Sequence, residues 1–192
     1  MIDMTGQRLL KGFRGVWRRT GLARAEEGLA LVEFSLAFPI LIMLFAGTVE
    51  FSEGFAVSRK LTNAAGSVSD LVAQMPRVSN ADLTDIAEAA ELLMQPYQAA
   101  GLRVVVTSVE ADADNNTTVG WSWAHGSGAS AHRSGDAFNL PTGLTEPNSS
   151  IIVTQTSYQF TPTVAYFLTG NIELTGQAYF RPRVSRVVEK VQ

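Results

Sequence analysis

The chain has 192 residues with 15 basic and 18 acidic side chains, a net charge of −3, and no cysteine. Without cysteine it has neither a disulfide framework nor a thiolate metal site. Beyond residue 28 the chain holds nine basic and 15 acidic residues, a balance that argues against nucleic acid as a partner, because phosphate binding needs a basic surface.

Residues 1–28 carry Arg8, Lys11, Arg14, Arg18, Arg19 and Arg24 against Asp3, Glu26 and Glu27. From Leu29 to Val49 runs an apolar stretch in which Glu33 is the only charge. At about 1.5 Å per residue a helix of this length spans roughly 30 Å, the thickness of a bilayer's hydrocarbon core. A carboxylate inside such a span is costly unless paired, so Glu33 points to a function. The bland alternative is a stray acid near the interface of a single-pass anchor. The basic flank places the N-terminus in the cytoplasm and residues 51–192 on the exported side. A cleaved signal peptide fits less well. The run is long for one, and Phe45-Ala46-Gly47, the nearest candidate site, lies inside it.

The helix is expected to continue past the membrane to about Met75. Val57, Leu61, Ala64, Val68, Leu71 and Met75 recur at helical spacing. Pro76 stops it. The stripe packs either on its own domain or against a partner helix. Pro39 inside the run is a kink or a tolerated irregularity. Glu50 and Glu53, where the rod should leave the membrane, read as solvated interfacial acids.

A second helix begins at Ser79 and Asn80, which supply capping side chains, with Asp82 and Asp85 in its first turn. Leu83, Ile86, Ala87, Ala90, Leu93 and Met94 mark its buried face, and Pro96 and Gly101 limit it. The period then changes to two. Strands are predicted at Arg103–Glu110, around Val119–Trp123, at Ile151–Thr161 and at Ile172–Arg181. Residues 112–116 form a hairpin turn, and a connection runs around Pro162 to Gly170. The tail from Val184 to Val191 is expected to extend the last strand. Trp121 and Trp123 share a face, either in the core or as a stacking platform. The fold class is α+β: a long N-terminal transmembrane helix, a second short helix and a roughly four-stranded antiparallel sheet. The corresponding regions are a leader at 1–28, a span at 29–50 and an exported domain at 51–192.

The run Gly28-x-Ala30-x-Val32-Glu33-Phe34, the apolar helix with Pro39, and Val49-Glu50-Phe51 resemble the TadE family of the tight-adherence (Flp) pilus machinery. The late Tyr179-Phe180-Arg181-Pro182-Arg183 is similar to that family's ending. More broadly the layout resembles type IV pilin-like proteins. The resemblance implies a minor pilin or pseudopilin at the bacterial inner membrane, with its C-terminal domain in the periplasm. It implies cutting between Gly28 and Leu29 by a prepilin peptidase, and assembly through Glu33 and Phe34 with other pilin-like subunits and pilus assembly proteins. After the cut, the new α-amino group of Leu29 lies one turn from Glu33, at i, i+4 spacing. The two charges then pair within a chain or between neighbours. Glu26 and Glu27 depart from the basic residues that many such leaders carry there.

No catalytic residue, cofactor or metal is expected. The one candidate constellation, His125, His132 and Asp136 around the Gly/Ser-rich stretch 126–135, matches no compact metal motif. Ser127 and Ser134 lack the Gly-x-Ser-x-Gly setting of a nucleophile. The alternative to a pseudopilin is an uncleaved single-pass scaffold or binding protein.

Overall fold

Continuous helical propensity from before the glycine to the first proline-rich break makes one long element, α1 (Val16–Ala73), with Pro39 inside it. It begins well before Leu29, so the glycine lies within the helix rather than at its start. The computed structural model describes residues 16–98, 101–162 and 170–191, with side chains from residue 28 onward. The basic side chains of the leader therefore lie outside the described residues, as does most of the connection at 162–170. The chain divides into two units, Met1–Thr48 and Val49–Gln192.

In the first unit the described side chains from residue 28 to 45 are all exposed. Large apolar groups are among them, including Leu29, Leu36, Ile40 and Phe45. Such a surface needs an apolar environment to cover it. Among the described residues α1 supplies the one helix long and apolar enough to cross a membrane.

The second unit is a two-layer α+β structure. A short strand, β1 (Arg77–Val78), precedes α2 (Asn80–Leu93). Ser79 caps α2. Its hydroxyl accepts from the Asp82 amide, while the Asp82 carboxylate accepts from the Ser79 amide, a reciprocal capping box. Four strands follow: β2 (Leu102–Ala111), β3 (Thr117–His125), β4 (Ser150–Phe160) and β5 (Ile172–Phe180). They form an antiparallel sheet in the order β3-β2-β4-β5. The β2–β3 turn is held by Asp112, whose carboxylate accepts from the Asp114 and Asn116 amides at 2.9 and 2.8 Å. Asn115 takes the left-handed conformation there (φ 64°).

Both helices cover one face of the sheet. Val57, Leu61, Ala64 and Val68 of α1 and Leu83, Ile86, Ala90 and Met94 of α2 pack with Val104, Val106, Ile152, Tyr158 and Phe160. The stripe on α1 therefore packs on its own domain. It also includes Ala65, Ser69 and Val72, so the buried face follows 3.6 residues per turn and leaves Leu71 outside it. Leu93 is likewise exposed, one position off the buried series of α2. The approach of α1 to the sheet is close. A methyl group on Gly176 would lie 2.7 Å from the Leu61 carbonyl carbon and 2.8 Å from the Thr62 amide nitrogen. Thr156 Oγ1 donates to the Leu61 carbonyl at 3.0 Å, and Ser69 Oγ donates to Thr154 Oγ1 at 2.7 Å, both inside this interface.

The opposite face is covered by the connection 126–149, through Phe138, Leu140 and Leu144 against Val109, Ile151 and Val153. Part of that connection also borders the outer edge of β3. The Val119 amide donates to Asp136, and the Gly135 and Phe138 amides donate to Val119 and Thr117. A register shift at Ser108/Val109 sets Val119 opposite Val109 and Trp121 opposite Ser108. The bulge thus puts Val119 on the other face from Trp121 and Trp123, which pack beside the helix-side core.

The tail does not extend β5. It turns back to form β6 (Glu189–Lys190), which pairs in parallel with β1 as a separate two-stranded sheet. Val188 is fully buried in the main core, and Trp121 Nε1 donates to its carbonyl at 2.7 Å. The Arg183 amide donates to the carbonyl of Ala73, the last residue of α1, and its guanidinium pairs with Asp70.

Candidate processing and membrane segment

Gly28 is exposed within α1, and among the described residues nothing lies within 4 Å of the position that a methyl group on its Cα would take. Its peptide bond to Leu29 lies in regular helix, with Leu29 70% exposed. Glu33 is exposed one turn further on. Among the described residues no ion pair involves it. Phe34 is exposed too, and its ring lies 5.4 Å from that of Phe38, a local i, i+4 contact. Ser35 satisfies its hydroxyl by donating to the Leu31 carbonyl at 2.7 Å, which lets a polar side chain sit in an apolar run. Gly28, Leu29, Glu33 and Phe34 thus lie together within about two exposed turns.

Glu50 differs from the reading as a solvated acid. It is fully buried, among the largest such side chains in the chain, whereas Glu53 is half-buried. Neither is without a partner. A buried carboxylate needs compensating contacts, so Glu50 belongs to the interior of the second unit rather than to a wet interface.

The histidines do not assemble. His125, at the end of β3, lies opposite Val104 on the helix side of the sheet, where its Nε2 is 3.0 Å from Glu91 of α2. His132 lies 3.0 Å from Gln155 Oε1, and Gln155 pairs in register with Val105 on the other face. The sheet therefore separates the two rings. Asp136 is engaged through its backbone, at the edge of β3. Among the described residues no group of three His, Cys, Asp or Glu side chains is placed to hold a metal ion. The Arg-Pro-Arg ending has structural contacts of its own: Arg181 reaches the Leu144 carbonyl and Glu146, and Arg183 reaches Asp70.

Residues 28–68 match a family model described as TadE-like protein. This segment is TadE-like. The match begins at Gly28, takes in Glu33 and the whole apolar run, and continues into the buried stripe of the second unit. No curated protein and no solved structure matches the chain. The TadE-like segment points to the tight-adherence pilus system, whose TadE-like members are not a known family of enzymes. Together with its apolar helix, it supports a pilus-related protein at a membrane.

Proposed function

We propose that the chain is a minor pilin or pseudopilin of a tight-adherence pilus system, processed between Gly28 and Leu29 and assembled through its N-terminal helix. Residues 1–28 are then a cytoplasmic leader, 29–50 the span, and 51–192 an exported periplasmic domain. The observation that carries the reading is the TadE-like match, which starts at the very glycine that ends the basic leader. The chain is the substrate of a prepilin peptidase, and none of its residues is catalytic.

Processing of a helical bond requires local opening, because its amide and carbonyl are held in i to i−4 hydrogen bonds. Glycine costs a helix about 1 kcal/mol relative to alanine, so Gly28 weakens α1 at the bond to be cut. After cleavage the ammonium of Leu29 and the carboxylate of Glu33 would both lie in or near lipid, where each needs an opposite charge. Pairing between neighbouring subunits neutralises both and sets their register.

The continuity of α1 through Gly28 favours one other reading, an uncleaved anchor whose exported domain acts as a scaffold. The N-terminal residue of the protein recovered from membranes, with and without the prepilin peptidase, separates the two. A chain beginning at Leu29 only when the peptidase is present is the expected result. A chain beginning at Met1 in both strains would leave the uncleaved anchor.

A further inference from the structure

The second unit has an apolar groove of about 260 Å³ lined, among the described residues, by Phe51, Gly54, Phe55, Ser58, Phe160, Ile172 and Leu174. Phe51 is 52% exposed and Phe55 68% exposed, although both belong to a unit with a well-filled core. They lie at i, i+4 spacing on α1, within two turns of Val49, where the apolar run ends. Among the described residues no charged side chain lines the groove. An apolar groove and two exposed phenylalanines thus lie together directly after the apolar run.

We propose that this groove seats the exported domain on the bilayer, with Phe51 and Phe55 in the headgroup and upper acyl region and lipid chains filling the space beside Phe160 and Ile172. Continuity in sequence with the run Leu29–Val49 selects lipid as the occupant: Phe51 and Phe55 follow its last residue within six positions of the same helix. Aromatic and apolar side chains at this depth are stabilised by burial in the interfacial region. Domain orientation is thereby restrained relative to the membrane before assembly. The inference rests on the reading of the run Leu29–Val49 as a membrane span.

The native chain has no cysteine, so a single introduced cysteine carries a unique nitroxide. The full chain would be reconstituted in phosphatidylcholine/phosphatidylglycerol vesicles with the label at Phe51→Cys or Phe55→Cys. Collision rates with oxygen, which concentrates in lipid, and with a water-soluble nickel chelate would then be compared. Leu92→Cys, on an exposed position of α2, is the aqueous reference. The expected result is an oxygen-to-nickel ratio several-fold higher at both phenylalanine positions than at Leu92. A ratio equal to that at Leu92 would overturn the proposal. So would low accessibility to both reagents that is relieved by diluting the protein in lipid, since a second copy would then fill the groove. A label at Leu36→Cys reports the span separately. Water-like behaviour there defeats the membrane reading itself, whereas failure at Phe51 and Phe55 alone defeats only the seat.

Discussion

In the proposed processing and assembly, a single glycine and a single carboxylate carry most of the role of the N-terminal helix. Gly28 has open space around it among the described residues, so Gly28→Ala meets no steric conflict with them and acts through helix stability and access to the bond. Gly28→Ala should leave most of the protein unprocessed in cells containing the peptidase, read as the ratio of full-length to mature chain on a gel. Glu33→Gln keeps the shape and removes the charge. It should leave cleavage intact while abolishing co-purification with other pilin-like subunits, because the ammonium of Leu29 loses its opposite charge. Both residues were legible in the sequence, since an isolated charge or glycine stands out against an apolar run. The burial of Glu50 was not legible, because nothing local distinguishes it from Glu53 three residues on.

The helices and strands were mostly readable as elements, for a local reason: caps, prolines and periodicity act over a few residues. The capping box of α2 is such a case. Ser79→Ala should cost about 1 kcal/mol, measured by chemical denaturation. The Ser79 amide, and then its hydroxyl, hold the Asp82 carboxyl below its ordinary value of 3.8. The side chain and then the amide of Asn116 do the same for Asp112. Near and below that ordinary value the unfolded chain binds more protons than the folded one, so their contribution is present above it and lost as the pH falls through the lowered values. Stability should therefore decline in acid below about pH 3.8, and less steeply in the Ser79→Ala variant, read from denaturation midpoints at successive pH values. Close approach between elements was invisible at this scale. Gly176 reads as an ordinary strand glycine, yet it is where the backbone of α1 touches the sheet. Gly176→Ala should destabilise the second unit by about 1–3 kcal/mol, because the opposing atoms include helix backbone that cannot rotate away.

At the scale of the whole molecule, the tail ties the second unit together. Val188 fills the core, the Trp121 ring nitrogen holds its carbonyl, and β6 pairs with β1 across more than a hundred residues of sequence. At about 0.8 kcal/mol per buried CH2, Val188→Ala should cost about 2 kcal/mol, seen as a lowered thermal midpoint. The sequence by itself determined the long apolar helix, the glycine–glutamate spacing, the α+β class and the approximate strands, because each is written in local composition and period. Only the tertiary structure decided the strand order and the bulge that turns Val119 away from the tryptophans. It also decided the separation of His125 from His132 and the return of the tail to β1. These depend on which distant segments meet, and that choice follows from how the faces of the whole sheet are covered rather than from any stretch of neighbouring residues.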